Sequence, residues 1–195
     1  MVFLRSPFSP ELPPVLKGSK VSLRVPQMGD FESWAELREA SREFLNPWEP
    51  TWPHDDLTRT AFRLRIKRYW RDIEDDLAYP FFIHDLHSGS LVGGLTLSNV
   101  RRGVAQMASC GYWIGTGFTR RGYMTDAVRT IISYAFDHLR LHRLEAACLP
   151  SNEASIRLLK ACGFAEEGIA RRYLKINGRW EDHLLFGLVS SELPR

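Results

Sequence analysis

The stretch from Tyr79 to Ile114 carries three strand-length apolar runs separated only by short turns. Tyr79 to His84 is the first. Ser88-Gly89 turns the chain into Leu91 to Leu97, and Arg101-Arg102-Gly103 turns it into Gln106 to Ile114. Runs rich in β-branched and aromatic residues, bounded by Gly and Ser, read as strands. Three in a row make an antiparallel meander, so the chain must be organised around a sheet.

The remaining elements fall on either side of that meander. Val21, Leu23 and Val25 alternate with Ser22 and Arg24, which predicts a short strand. Asp30 is a plausible helix N-cap, and Phe31, Trp34 and Leu37 extend a helical pattern to about Phe44. Pro47 ends it by disfavouring helical geometry at Asn46. A second helix is expected from Asp55 or Asp56, with an apolar stripe at Phe62, Ile66, Tyr69, Trp70 and Ile73. After Ile114 come a Gly-containing loop and a helix carrying Ala127, Val128, Ile131, Ile132, Ala135 and Leu139. A strand at Arg143 to Leu149 and a short helix at Asn152 to Cys162 follow, ended by Gly163. Two strands, about Glu166–Ile176 and Arg179–Leu188, close the chain across Asn177-Gly178, a favoured two-residue hairpin turn. The order is β–α–α–β–β–β–α–β–α–β–β, an α+β class with a mixed sheet.

A length of 195 residues suits one domain. The expected division is a Pro-rich arm over 1–18, one domain over 19–190 and a tail over 191–195. Apolar residues at 44% and charged residues at 25% are globular values. A net charge of +3 does not mark a dedicated nucleic-acid binder, so no sequence-specific nucleic-acid binding is expected. No run of apolar residues is long enough for a membrane helix, and no membrane partner is expected. Met1 to Leu16 holds Arg5, Glu11 and four prolines and lacks a signal-peptide core. Cys110, Cys148 and Cys162 show neither disulfide nor metal spacing, which points to a cytoplasmic setting and structural thiols. His138, His142 and His183 also lack metal spacing, and no metal is expected.

Two segments carry chemistry. In the first, Gly115 to Thr125, a strand ends, a basic loop follows and a helix opens. The first-turn N–H groups of a helix have no internal partners and, with the helix dipole, form an anion site. Gly122 allows close backbone approach, and Arg120 and Arg121 add charge. An ordinary surface loop is the alternative. In the second segment, Asn152-Glu153-Ala154-Ser155, capping alone explains Asn152, and Ser155 reads equally as a solvated helix residue.

Taken together, the two segments resemble the GCN5-related N-acetyltransferases (GNAT). That family holds the coenzyme A pyrophosphate in a Gln/Arg-x-x-Gly-x-Gly/Ala loop; here the stretch is Thr119-Arg120-Arg121-Gly122-Tyr123-Met124, with Thr119 and Met124 departing. Asn152, Ser155, Gly163 and Phe164 match its second signature. Phe44-Leu45-Asn46-Pro47-Trp48-Glu49-Pro50, the segment Leu97 to Gly103 and the segment Tyr173 to His183 resemble the RimJ/RimL branch, which acetylates ribosomal-protein N-termini. The resemblance implies the GNAT fold, a mostly antiparallel sheet flanked by helices, and acetyl-CoA as co-substrate. It implies direct attack by the N-terminal amine of a ribosomal protein, alanine first, with a transient ribosome contact.

The same resemblance implies the site. Ile114, Thr119, Arg120, Arg121, Gly122, Tyr123, Met124, Thr125, Asn152 and Ser155 would hold the cofactor, the N–H of Ile114 facing the thioester carbonyl. Many relatives carry a tyrosine acid where this chain has Leu159, so the acid falls to Ser155, a water or Tyr173. Glu49 is the expected base, acting through water, with Asp182 second. Trp48, Glu49 and Asn99 are expected at the acceptor amine, with Trp52 and Phe44 as wall or core. The alternatives are small-molecule amines as acceptors, or a silent acyl-CoA-binding ribosome-assembly factor.

Overall fold

The computed structural model describes residues 13–192. The strands are β1 (Leu16–Lys17), β2 (Val21–Arg24), β3 (Tyr79–Asp85), β4 (Leu91–Arg101), β5 (Met107–Ile114), β6 (Arg143–Cys148), β7 (Ala165–Ile176) and β8 (Arg179–Val189). The helices are α1 (Phe31–Ala40), α2 (Arg42–Leu45), α3 (Arg59–Glu74), α4 (Tyr123–Ser133) and α5 (Glu153–Ala161). All strands join one sheet in the order β1-β2-β3-β4-β5-β6-β8-β7, antiparallel except at the β5–β6 pair. This is the expected mixed sheet with one strand added: Leu16–Lys17, expected within the arm, pairs with β2. Residues 1–12 of that arm and 193–195 of the tail lie outside the described residues.

Both faces of the sheet are covered, and its strands alternate accordingly. On β3, Phe81 and Ile83 join the main core with Ile131, Leu144, Leu159 and Phe186, under α4 and α5. Phe82, between them, faces the other way onto Trp34 and Phe62, under α1 and α3. A strand rises with period two, so one residue feeds each core in turn.

Several helix boundaries differ from expectation, for local reasons. Asp30 holds the N-cap position of α1 as expected, but its carboxylate makes no capping bond: it accepts from the Gln27 N–H (2.7 Å) and pairs with Arg24. The α3 helix starts at Arg59, not at Asp55 or Asp56, because Thr58 supplies the cap, its hydroxyl accepting from the Ala61 N–H at 3.2 Å. The first helix breaks at Ser41, whose hydroxyl accepts from the Thr116 N–H at 3.0 Å and ties α1 to the loop after β5. Two expected turns form as read. The Phe164 N–H reaches back to Leu159 O at 3.0 Å around left-handed Gly163, a Schellman stop. Asn177 and Gly178 both take positive φ (42° and 82°), as a type I′ hairpin requires.

Asp126, in the first turn of α4, fastens the β1–β2 turn to this helix. Its carboxylate accepts from the N–H groups of Ser19 (3.1 Å), Lys20 (2.7 Å) and Val21 (3.1 Å). Burial alone would raise its pKa, but these donors together bring it below its ordinary value. A lowered folded-state pKa contributes stability at pH above the ordinary value, and that stability is lost as pH falls through the folded pKa. Asp126→Ala is therefore expected to melt lower than wild type at pH 7. The gap is expected to narrow below about pH 4, read by thermal denaturation across a pH series.

Candidate active site

The parallel ladder between β5 and β6 is short. It runs through Met107↔Arg143, Ala108↔Leu144 and Ser109↔Glu145 and stops there. Beyond Ser109, β5 keeps its partner β4 as far as Ile114, and β6 keeps β8 as far as Cys148. The two strands diverge, leaving an opening lined by Cys110 to Ile114 on one side. The Gly115 N–H donates to Val92 O on the β4 side at 2.9 Å. Backbone amides alternate direction along a strand, so the N–H groups of Ile114 and Tyr112 point the other way, into the opening.

The loop after β5 leads from this opening to α4. Arg120 and Gly122 take left-handed backbone conformations (φ 60° and 82°). The first helical bond runs from Asp126 N–H to Gly122 O at 3.0 Å. The N–H groups of Tyr123, Met124 and Thr125 therefore lie outside the helical ladder, and Gly122 offers no capping side chain. The Asp126 charge is turned away onto the β1–β2 turn, so it does not cancel the helix dipole. Lys20 Nζ donates to Arg121 O at 3.1 Å, adding a cation beside Arg120 and Arg121. Thr119 donates its hydroxyl to Thr116 O at 3.1 Å. Tyr123 donates its hydroxyl to Asp85. Met124 is buried in the main core, which is why a large apolar residue is tolerated there.

Across the opening, Asn152 caps α5, its Oδ1 accepting from the Ser155 N–H at 3.1 Å. The Ser155 hydroxyl lies 2.6 Å from that of Tyr112, a residue the sequence reading did not single out. Burial raises the Tyr112 pKa above its ordinary value, only partly offset by Ser155. Tyr173 is not hydrogen-bonded to Ser155; half exposed on β7, it packs edge-on against His183 at 5.8 Å. Leu159 is fully buried in the core. The three cysteines are free and buried. Desolvation raises the Cys148 and Cys162 thiols and pushes Cys110 up to about 12, so they pack as apolar side chains.

On the opposite face of β5, Glu49 sits differently from the expected free base. Both its oxygens accept from Arg38, at 2.8 and 2.7 Å, and one also accepts from Trp52 Nε1 at 2.8 Å. The Arg38 guanidinium lies between two indoles, 4.0 Å from the Trp52 ring centre and 4.9 Å from that of Trp113. Trp113 in turn lies against Gly94, where any side chain would overlap its ring nitrogen. The Asn177 N–H donates to Glu49 O at 2.9 Å, bringing the β7–β8 hairpin to this cluster. Trp48 is partly buried beside it in sequence. Asn99 is exposed, with φ 52°, at a bulge one residue past the Ser98↔Ser109 pair, where the strands begin to part. Asp182 accepts from the Arg172 N–H at 2.8 Å, bracing a bulge in β7. Arg38 and Trp113 were missed by sequence reading. Their signals were an arginine four residues after Trp34 on one helix face, and a Gly-Gly pair inside a strand. Among the described residues no group of three or more His, Cys, Asp or Glu side chains is placed to hold a metal ion.

This geometry has known counterparts. Residues 20–165 match the family model described as an acetyltransferase (GNAT) domain. The chain is 36% identical over 178 residues to the probable N-acetyltransferase YjcK of Bacillus subtilis, covering 91% of this chain and 98% of that protein. It is 31% identical over 165 residues to the ribosomal protein uS5-alanine N-acetyltransferase of Escherichia coli, covering 84% and 85%. The solved structure of Mycobacterium smegmatis RimJ in complex with CoA-disulfide superposes with a TM-score of 0.88 at 33% identity, covering 98% of this chain and 93% of that one. The chain belongs to the GNAT acetyltransferase family and is an N-acetyltransferase of the RimJ type.

The Arg38–Glu49 pair is buried enough that loss of one partner strands the other. Arg38→Met is expected to destabilise the fold by about 2–4 kcal/mol, with Arg38→Met/Glu49→Leu recovering part of the loss. Urea unfolding of the two variants checks this.

Proposed function

We propose that the protein transfers the acetyl group of acetyl-CoA to the α-amino group of a protein N-terminus, alanine first, on a ribosomal protein. The observation that carries this reading is the opening between β5 and β6, with its inward N–H groups at Tyr112 and Ile114 and an anion-holding loop at one end. The likeness to the uS5-alanine enzyme supports the acceptor. Such an acceptor also fits a cytoplasmic protein. The described residues contain no helix long and apolar enough to cross a membrane.

The chain's own groups fit the co-substrate. The free N–H groups of Tyr123, Met124 and Thr125, with Thr119, Arg120, Arg121 and Gly122, receive the pyrophosphate. The inward amides of β5 hold the pantetheine and donate to the thioester carbonyl as negative charge develops on its oxygen. Asn152 keeps its side-chain amide N–H groups free for the pantetheine while its oxygen caps α5. Ser155 serves the departing sulfur as acid. Glu49 orients the acceptor amine rather than removing its proton, since both its oxygens already accept from Arg38 and Trp52. An α-amino group titrates near roughly 7.7–8.0, far below lysine, so the neutral amine is available at physiological pH and its proton passes to water. Trp48 and Asn99 border the approach to this amine.

Intact-mass assays with acetyl-CoA test the acceptor. A peptide beginning with alanine is expected to gain one acetyl group. The same peptide blocked at its N-terminus but carrying lysine, and a panel of small amines, are expected to gain none. Transfer only to the small amines would remove the ribosomal assignment and leave the chemistry. Because only the neutral amine attacks, kcat/KM for the peptide is expected to rise with pH and level off near pH ~8. Glu49→Gln is expected to raise the peptide KM severalfold while changing kcat less, since the lost charge serves orientation.

A further inference from the structure

We propose that Tyr112 is a positioning residue for acetyl transfer: its hydroxyl donates to Ser155 Oγ and thereby commits the Ser155 proton to the departing sulfur. The proposal rests on Ser155 being the acid. It begins from the 2.6 Å contact between the two hydroxyls, in which either oxygen has the geometry to donate. Hydrogen-bond accounting decides the direction. Among the described residues, Ser155 is the hydrogen-bond partner of the Tyr112 hydroxyl. An unsatisfied buried donor is costly, whereas a phenol oxygen that accepts nothing loses little. The Tyr112 proton therefore goes to Ser155, and Ser155 keeps its own proton for another acceptor.

The surroundings say where that proton points. Ser155 is the third residue of α5, so no helical turn precedes it to take its hydroxyl. It stands beside Tyr112 on β5, and α5 follows the end of β6. These two strands are the edges of the opening in which the thioester lies. Burial keeps Tyr112 protonated, so it remains a donor throughout the working pH range.

The chemistry balances without a further reagent. Attack by the neutral amine forms the C–N bond, and the amine proton passes to water. The C–S bond then breaks with its electron pair on sulfur, the Ser155 proton passes to that sulfur, and Ser155 Oγ recovers a proton from the water that took up the amine's. Tyr112 undergoes no net change; it restricts Ser155 to the productive orientation.

The test is a double-mutant cycle of wild type, Tyr112→Phe, Ser155→Ala and the double variant, measured at saturating acetyl-CoA with an alanine-starting peptide. Tyr112→Phe removes one oxygen and leaves the ring in place. It is expected to lower kcat roughly tenfold, the value of one hydrogen bond, with the KM for acetyl-CoA and the melting temperature unchanged. In the Ser155→Ala background the same change is expected to do almost nothing, because its target is gone. Full activity in Tyr112→Phe, an equal loss in both backgrounds, or a loss confined to the KM for acetyl-CoA would each overturn the positioning role. Ser155→Ala with wild-type kcat would overturn the assignment of Ser155 as acid, and the Tyr112 role with it. Ser155→Ala slow beside Tyr112→Phe normal would remove the Tyr112 role alone.

Discussion

The proposed site depends on β5 and β6 parting after Ser109. A parallel pair normally continues as long as both strands do, because each lost rung leaves backbone donors and acceptors without partners. Here both strands continue and only the ladder stops. The outer ladders, β4 with β5 and β6 with β8, keep their register to the end. The divergence is therefore a property of the whole sheet, imposed by two well-paired halves that fan apart. Its consequence is a set of amides held open by the fold. A ligand with its own amides and carbonyl, such as a pantetheine thioester, restores the missing rungs. On the proposed function, the same divergence supplies both the binding slot and the oxyanion donors.

The helices on that face extend the same logic. α4 begins where β5 ends, so its unpaired N–H groups arrive at one end of the slot, and α5 begins where β6 ends, so Asn152 and Ser155 arrive along it. The carboxylate in the first turn of α4, Asp126, is turned onto the amides of Ser19, Lys20 and Val21. That contact also brings Lys20 to the loop, where its ammonium donates to Arg121 O. Local stability and site electrostatics come from one residue.

The sheet and its order were legible because they rest on period-two alternation and short turns, signals that lie within a few residues of one another. The loop that opens α4 and the Asn152 cap of α5 were legible for the same reason: both are local. What escaped the sequence was set by contacts between distant segments. Tyr112 and Ser155 are 43 positions apart, and nothing near either one announces the other. Arg38 reaches Glu49 only because the chain folds back after α2, which turned an expected free base into one half of an ion pair. The start of α3 failed for a different reason. Asp55 and Asp56 are acceptable caps by residue type, but Thr58 caps α3 instead; Asp30 stands at the start of α1 as read, with its carboxylate drawn to Arg24 rather than to the helix.

The two faces of β5 also divide the labour of transfer. Tyr112 turns its side chain toward Ser155 on α5, and Trp113, the next residue, turns toward Arg38. A strand cannot shift one of these without the other, since alternation fixes them on opposite sides of one backbone. Gly94 allows Trp113 to lie close against β4, and the hydrogen bond from Asn177 to Glu49 fixes the far wall. On the proposed function, the donor and acceptor halves of the reaction are held in register by a single dipeptide at the edge of the opening. A proposed site assembled from segments distant in sequence would in this way keep the geometry that direct attack requires.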